Sequence, residues 1–517
     1  MCKAIIKAAI LMAGATPFVF RWSCRLTVFP GCTFGRQPIT PEKNPNPWKD
    51  DYTSVSAMKD YRSWGTYNVH DPAGRKIGDT FYLYSTDAIF RENKEETKEA
   101  GVSLGYIQVR KSTDLVNWEF VGWAFPEIPA EAVEHVRSNA GGEGATNIWA
   151  PYLVEYKDKF RLYYCVSAFA KSVSYLGMAE ASSPEGPWEL KGCVVKTDST
   201  SVMNAIDPSV IITENGEHWM VYGSYFGGLY ELQLDPETGL AMRSGDQGHC
   251  IARRANGKKD NIEAPEIIYN PELKKYYLFV SYDPLMTTYN IRVGRSDKPE
   301  GPFFDLFGKE MSEETNNYPV LTHPYRFDNH PGWAGTAHCG VINDNGRYFL
   351  MHQGRLSPAN QLMDLHVREI FWTKDGWPVV SPERYAGIPQ QDFIKDDFVG
   401  EWEMILIRDS KYERRLWAGQ ILWGEGELHD NEVNVSVHYT FTPDGKIIGE
   451  QEGRWTYTPE TSLNIRLGEE EMQGLIPHMG QDWENEMKTI LFTGLDSHGF
   501  SVCGKRVVSN QNELSMK

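Results

Sequence analysis

The chain has 517 residues, enough for two or more domains, and 41% of them are hydrophobic and 13% aromatic. Its formal net charge of −18 disfavours nucleic acids and anionic lipid surfaces as partners, because like charges repel, and favours a neutral substrate. The 8 Cys are spread along the chain and form neither a dense disulfide framework nor a metal-ligand cluster, so Cys165 and Cys193 are predicted to be buried free thiols.

The N-terminal region has some features of an export signal. Lys3 and Lys7 precede an apolar run over 8–20, which has the length of a signal-peptide core, although Pro17 and Arg21 interrupt it. We therefore interpret residues 1–35 as a signal-like or disordered segment and expect a secreted, cell-surface or periplasmic protein. Residues 36–66 are rich in Pro and Asn and predict an extended lead-in. No later stretch is apolar and long enough to cross a bilayer.

One small module recurs five times between residues 70 and 350. Each copy has a short turn with a polar residue, usually closed by proline, and an aromatic-rich strand about a dozen residues later. The turns read His70-Asp71-Pro72, Trp149-Ala150-Pro151, Ile206-Asp207-Pro208, Glu263-Ala264-Pro265 and Ala337-His338-Cys339-Gly340. Further extended segments follow each strand. Four strands per repeat and five repeats predict an all-β fold with a five-bladed β-propeller over residues 67–392.

The pattern changes near residue 393. Alternation of period two then dominates and predicts that one face is shared by Val433, Val435, Val437, Tyr439 and Phe441. The turn residues at 443–445 and 496–499 are typical of hairpins. Residues 393–517 therefore predict a separate antiparallel β-barrel or sandwich of about 120 residues, with its tryptophans in the core.

Three of the repeats place a carboxylate at the same position: Asp71, Asp207 and Glu263. Radial closure of the repeats would bring them together at one end of a central channel, where like charges raise one another's pKa. Metal binding and general acid–base chemistry both use such a group. Glycoside hydrolysis needs one protonated and one ionised carboxyl, which matches the set. A role in turn formation alone accounts for one Asp-Pro pair better than for three in register.

The repeat region resembles the endo-1,5-α-L-arabinanases of glycoside hydrolase family 43. The resemblance covers roughly residues 60 to 390, with its motifs in the family's order. They are Val69-His70-Asp71-Pro72, Asn147-Ile148-Trp149-Ala150-Pro151, Asn204-Ala205-Ile206-Asp207-Pro208, the strand and turn over 219–228, and Ile262-Glu263-Ala264-Pro265. The C-terminal region is similar to the small β-barrel domain of some of these extracellular enzymes.

This resemblance implies an inverting hydrolase that cleaves internal α-1,5-L-arabinofuranosidic bonds. Carried over motif by motif, Asp71 would be the general base and Glu263 the general acid, while Asp207 would tune the pKa and orientation of the acid. Inversion needs the base and acid carboxyls roughly 6.5–9.5 Å apart. Glu266 is a rival for the acid, but strand alternation should turn it to the opposite face from Glu263, which we prefer.

The resemblance also implies residues for substrate and metal. Asn204 and Ser224 would hydrogen-bond furanose hydroxyls, with His70 beside them. Apolar surface for a sugar face would come from Trp149 and Phe226.

A histidine at the position of His338 implies a mostly hydrated calcium ion in the channel. On its own His338 is a weak metal signal, since calcium prefers oxygen ligands. The sequence departs from the family at Tyr152, where an acid is common, at Phe226, where Trp is frequent, and in an insert over 126–146. These departures put the shape of the sugar subsites in doubt.

The expected partner is arabinan or an arabino-oligosaccharide, bound by a monomer. An exo-acting α-L-arabinofuranosidase or β-xylosidase is the nearest alternative, because propellers of this kind host several pentose specificities. A non-catalytic carbohydrate-binding propeller is the alternative of another class, and loss of a catalytic acid would mark it. A fructan-processing enzyme is disfavoured, because its Asn-Asp-Pro-Asn-Gly opening is replaced by Val69-His70-Asp71-Pro72-Ala73.

Overall fold

The computed structural model describes residues 63–87, 105–254, 261–357, 363–409, 428 and 430–508. The expected signal-like segment and nearly all of the lead-in lie outside these residues. Within them the fold is all-β: a propeller-like arrangement of sheets precedes a closed eight-stranded barrel. Among the described helices, none combines the length and apolar character needed to span a membrane.

Two four-stranded antiparallel sheets come first, each with its strands in chain order. The first contains β1 (His70–Ile77), β2 (Thr80–Thr86), β3 (Tyr106–Ser112) and β4 (Glu119–Phe125). The second contains β5 (Trp149–Tyr156), β6 (Lys159–Ser167), β7 (Ser174–Ala181) and β8 (Glu189–Thr197). The helix α1 (Ala130–Asn139) lies between them, within the insert noted in the sequence.

Two further antiparallel sheets follow the same plan. One contains β9 (Ser209–Ile212), β10 (His218–Tyr222), β11 (Leu229–Leu234) and β12 (His249–Ala252). The next has three described strands: β13 (Ile262–Asn270), β14 (Lys275–Tyr282) and β15 (Asn290–Ser296).

A larger sheet completes this part of the chain. Its strands are β16 (Tyr325–Arg326), β17 (Trp333–Ala334), β18 (Cys339–Asp344), β19 (Arg347–Leu356), β20 (Asp364–Trp372), β21 (Pro378–Val380) and β23 (Asn434–Val435). The strands β18 to β21 pair antiparallel in chain order, as the strands of the earlier sheets do.

The first strands of these sheets lie next to one another. β1 contacts β5, β5 contacts β9, β9 contacts β13, β13 contacts β18, and β18 contacts β1. The aromatic strands lie one position further out and fill the space between sheets: Tyr163, Tyr222 and Tyr277 are each 0% exposed. Burial of these rings supplies much of the apolar surface that holds neighbouring sheets together.

The barrel closes from β22 (Gly400–Leu406) through β24 (Val437–Phe441), β25 (Lys446–Gly449), β26 (Gly453–Thr458), β27 (Ser462–Leu467), β28 (Glu470–Asp482), β29 (Met487–Leu495) and β30 (Ser501–Arg506). Short 3-10 helices at Lys395–Phe398 and Asp430–Glu432 flank β22 and the strands that follow. Trp402 and Trp455 pack in the barrel core, as expected.

The expected shared face over 433–441 is wrong in its first half. Val435 is 40% exposed, whereas Ser436 is buried. The reason is that β23 leaves the barrel and pairs in parallel with β16 of the large sheet, so the barrel alternation begins only at Val437.

The barrel is anchored on the large sheet by buried polar contacts. The ammonium of Lys505, on β30, lies 3.0 Å from Glu383, which follows β21, and 3.1 Å and 2.5 Å from Asp482 and Glu484 of the barrel. Thr493 donates a hydrogen bond to the carbonyl of Val380 at 2.7 Å. Separating a buried charge from its ion-pair partners is costly, so this contact holds the barrel to the large sheet.

Candidate active site

The five turns of the sequence repeat share one unusual backbone conformation. A non-glycine residue with positive φ occupies the same place in each: Asp71 (49°), Ala150 (43°), Asp207 (57°), Ala264 (52°) and His338 (52°). The predicted common position of the three carboxylates is therefore wrong for Glu263, which comes one residue before this place. This conformation costs an L-residue roughly 1–2 kcal/mol, so surrounding contacts must hold it.

Side chains from other repeats hold four of the five turns by accepting hydrogen bonds from backbone N–H groups. The pairs are Asp71 with Gln353 (2.9 Å), Ala150 with Thr86 (2.9 Å), Ala264 with Asp207 (3.2 Å) and His338 with Ser281 (2.9 Å). Sequence reasoning missed Thr86, Ser281 and Gln353. The available signal was a polar residue just after the aromatic run of the second strand in each repeat.

Asp71 is an ionised carboxylate held by two partners. Its Oδ1 lies 2.9 Å from His338 Nδ1, and Thr86 Oγ1 donates to its Oδ2 at 2.6 Å. Burial alone would raise the pKa of Asp71, but the charge and hydrogen bond of His338 outweigh it and bring the pKa below its ordinary value. The same pair raises the pKa of His338 to about 9, against the opposing effect of burial.

Glu263 has the opposite tendency. Burial raises the pKa of its carboxyl, the charge of Asp71 raises it further, and contacts with Ser224, Tyr289 and His338 oppose the rise. Ser224 donates a hydrogen bond to Glu263 Oε2 at 2.6 Å. The Glu263 side chain is half-buried, and a carboxyl with a raised pKa keeps its proton, as a general acid requires.

Asp207 interacts electrostatically with both of these groups and is 6% exposed. Burial raises its pKa well above the ordinary value, His338 opposes this, and Glu263 and Asp71 add to the rise. The three acids therefore act on one another electrostatically, as expected from the sequence.

A small cavity lies among the first strands. Its lining includes Asp71, Asp207, His338, Tyr152 and Glu266, together with backbone of the turns. All five turns thus contribute directly to one small polar space.

The alternation argument against Glu266 is wrong. The left-handed Ala264 and a register shift between Glu263 and Glu266 interrupt the pleat of β13, so the odd offset no longer turns Glu266 away. Glu266 lines the axial cavity instead of facing the opposite side of the strand.

The expected sugar-binding residues surround the same turns. Asn204 is 4% exposed and accepts a hydrogen bond from Ser174 at 2.6 Å. Trp149 and His70 are half-buried at the starts of β5 and β1, and Phe226 is buried. Ser224 directs its hydroxyl proton to Glu263, so its contact to a sugar would be through its oxygen.

The residues at the axis fit a mostly hydrated cation. The Nδ1 atom of His338 faces Asp71, so the neutral form of the ring would have Nε2 for a ligand, an arrangement common around metal-bound histidines, whereas the protonated ring could not coordinate. Within the described ranges, the groups of at least three potential ligand atoms within 4.8 Å of one another lie elsewhere. A cation here would thus have His338 as its direct protein ligand and water in its other positions.

Comparison with known proteins places this geometry in a family. Residues 64–378 match Glycosyl hydrolases family 43, and residues 382–504 match a C-terminal lipocalin-like domain. An extracellular endo-α-(1→5)-L-arabinanase of Thermotoga petrophila is 29% identical over 481 residues, covering 85% of this chain and 93% of the relative. A second such enzyme, from Bacillus subtilis, is 26% identical over 479 residues, covering 85% and 93%.

Solved structures agree with these sequence matches. The crystal structure of the endo-1,5-α-L-arabinanase from Thermotoga petrophila superposes with a TM-score of 0.70 at 27% identity, covering 86% of this chain and 99% of that one. An extracellular exo-α-(1→5)-L-arabinofuranosidase of Cellvibrio japonicus is 29% identical over 331 residues, covering 60% of this chain and 86% of the relative. The match over residues 64–378 spans more than half of the chain, which therefore belongs to the glycosyl hydrolases family 43.

Proposed function

We propose that this protein is an inverting endo-α-1,5-L-arabinan hydrolase on a five-bladed propeller. The observation that carries the proposal is the geometry of the turns, which place Asp71 against His338 and Glu263 against Ser224 around one axis. The pKa shifts, low for Asp71 and high for Glu263, support it. Relatives aligned over both parts of the chain are endo-arabinanases. The ring of contacts among β1, β5, β9, β13 and β18 supports the count of five blades.

The proposed reaction uses the two carboxyls in different protonation states. Protonated Glu263 donates its proton to the oxygen of the departing sugar, while ionised Asp71 accepts a proton from the water that attacks the anomeric carbon from the opposite face. Asp207 and Glu263 raise the energy of ionising each other. The Asp207 carboxyl also accepts a hydrogen bond from the backbone N–H of Ala264, which fixes that turn. His338 keeps Asp71 ionised and oriented.

Substrate and cation contacts follow from the same turns. We assign sugar hydroxyl contacts to Asn204, Ser224 and His70, and apolar sugar contacts to Trp149 and Phe226. When its imidazole is neutral, His338 would hold a hydrated Ca²⁺ through Nε2, and the ion would then supply, in place of the protonated ring, the positive charge beside the carboxylates. The relatives' extracellular names support export of the protein, and a site built within one chain supports a monomer.

Digestion of debranched arabinan tests the proposal. Wild-type enzyme should release a ladder of oligosaccharides early in the reaction, and Asp71→Ala and Glu263→Ala should each lower kcat at least about 10³-fold, because one proton transfer is lost. Far-UV circular dichroism checks that both variants fold. A parallel digestion with a chelator added shows whether activity needs the cation. Near-wild-type activity in either variant would reject the assignment.

The exo-acting alternative has a specific observation in its favour, the similarity to the Cellvibrio enzyme. Early products distinguish the two modes. An exo enzyme would release one short product from the start, with little early fall in the viscosity of the polymer. Absence of any cleavage of arabinan would leave the non-catalytic binding propeller.

A further inference from the structure

A fourth carboxyl lies at the axis and has no part in the reaction described above. Glu266 is 3% exposed and accepts hydrogen bonds from Ser209 Oγ (2.7 Å), the backbone N–H of Val341 (3.1 Å) and Tyr152 OH (3.4 Å). These donors lie on β9, β18 and β5, so one carboxyl joins the first strands of four sheets.

The positions of the partners follow the sequence repeat. Tyr152 and Ser209 lie two residues beyond the left-handed residues Ala150 and Asp207, and Val341 lies three residues beyond His338. Glu266 itself lies two residues beyond the left-handed Ala264. Each bond therefore ties down a strand close to the point where it leaves its turn.

We propose that Glu266 is a positioning residue that holds the general acid Glu263 in place by tethering β13 to β5, β9 and β18 across the propeller axis. The inference rests on the proposed function, because it assigns Glu263 as the acid.

The tether acts on Glu263 through a short segment of backbone. Only the left-handed Ala264 and Pro265 separate the two glutamates, and the N–H of Ala264 is held by Asp207. Ser209 Oγ also accepts a hydrogen bond from the N–H of Ile267 at 3.1 Å, so β13 is held to β9 at two successive residues. A rotation of this segment would move the Glu263 carboxyl away from the oxygen it must protonate, and displacements near 1 Å can cost about 100-fold in rate.

Burial and charge support a structural tether more than a second acid. The Glu266 carboxyl has three donors to its two oxygens, and burial raises its pKa to about 7 against the effects of those donors and of Arg75. Since its oxygens are occupied by protein groups, it is poorly placed to protonate a sugar.

The chain offers a matched control in Glu231. It is 0% exposed, lies on β11 outside the axial cavity, and burial raises its pKa well above the ordinary value. Its carboxylate oxygens make no hydrogen bond among the described residues, and His249 Nε2 lies 3.9 Å away. Glu231→Gln therefore makes the same chemical change at a comparable depth without touching the tether.

The experiment compares two substrates that need the general acid to different degrees. Debranched arabinan has a poor leaving group, whereas a 2,4-dinitrophenyl arabino-oligosaccharide has one that departs without protonation. Wild type, Glu266→Gln, Glu266→Ala and Glu231→Gln are assayed on both, with thermal unfolding measured in parallel. Ser209→Ala, which removes one donor and leaves the acid intact, serves if the Glu266 variants do not fold.

A positioning role predicts a loss in kcat with little change in KM. Glu266→Ala should lower kcat on arabinan about 100-fold, and on the dinitrophenyl substrate less than about 10-fold. Glu266→Gln should lie between Glu266→Ala and wild type, because it keeps one acceptor oxygen. Ser209→Ala should show the same substrate-dependent loss, and Glu231→Gln should retain wild-type kcat on both substrates.

Three outcomes would overturn parts of this account and remain distinguishable. Equal losses on both substrates, or losses matched by Glu231→Gln, would make Glu266 a merely structural residue. Wild-type activity in folded Glu266→Ala, or in Ser209→Ala where that variant is needed, would show that no tether is required. If wild type itself cleaves neither substrate, the proposed function fails first.

Discussion

At the scale of single residues, the site depends on giving similar carboxyls different protonation states. Asp71 and Glu263 both lie at the axis and both lose solvent on folding. Only Asp71 has the imidazole of His338 at 2.9 Å, so its pKa falls while that of Glu263 rises. The place of each carboxyl in its turn determines which side chain it contacts, and that contact determines whether the carboxyl acts as base or acid.

Replacing Asp207 by Asn tests its role as the tuner of the acid. Asp207 and Glu263 share protons, so the last proton of the pair leaves only at raised pH. Removing one carboxyl should therefore shift the alkaline limb of the kcat/KM profile to lower pH by about one unit. Thermal unfolding of the variant, measured at the same pH values, serves as the control. An unmoved alkaline limb would contradict the tuning role.

At the scale of elements, the left-handed turn is the unit that the sequence repeats. Its period could be read from the polar residue and the proline, which restrict the backbone locally. The left-handed backbone conformation could not be read from the sequence, because alanine at positions 150 and 264 gives no local signal for positive φ. Neighbouring strands impose that conformation through the bonds from Ala150 to Thr86 and from Ala264 to Asp207.

Ala150→Gly tests whether the turn stores strain. Glycine relieves a left-handed conformation worth roughly 1–2 kcal/mol, but it adds chain entropy and removes a buried methyl group. The free energy of unfolding should thus stay within about 0.5 kcal/mol of wild type in denaturant titrations. Ala179→Gly, on β7 where the backbone is not left-handed and the side chain is similarly buried, should lower it by about 1 kcal/mol or more. Equal losses would mean that Ala150 is unstrained.

The same scale explains two expectations that failed. Strict alternation was assumed through Glu263–Glu266 and through Val433–Val437. A bulge interrupts the first, and a change of partner sheet interrupts the second. Both irregularities are set by tertiary pairing, which residue patterns in a single strand do not encode.

At the scale of the whole molecule, burial leaves several histidines neutral. Burial lowers the pKa of His218, His323 and His478 to about 4 and that of His352 to about 3, and it lowers that of His366 well below its ordinary value. Such groups stabilise the fold fully above pH 6.5, the pKa of an unfolded histidine. The contribution is lost as pH falls toward the folded pKa, because the unfolded chain then binds more protons.

His478→Gln measures one such contribution where the barrel meets the large sheet. His478 contacts Ser381 at 3.0 Å, and glutamine offers similar hydrogen-bonding groups without titrating. Between pH 7 and pH 5 the wild type should lose about 2 kcal/mol of unfolding free energy relative to the variant. Denaturant titrations at pH 7 and pH 5 would check it, and a pH-independent difference would contradict the burial argument.

The sequence by itself determined the all-β class, the repeated turns, the three acids that recur in them, and the family. These depend on residues that lie close together in the chain or repeat at a regular spacing. Tertiary structure alone decided which acid is ionised, that Glu266 faces the axis, and how β23 leaves the barrel. Such outcomes depend on burial and on bonds between distant positions, as between Asp71 and Gln353, 282 residues apart, which no local pattern records.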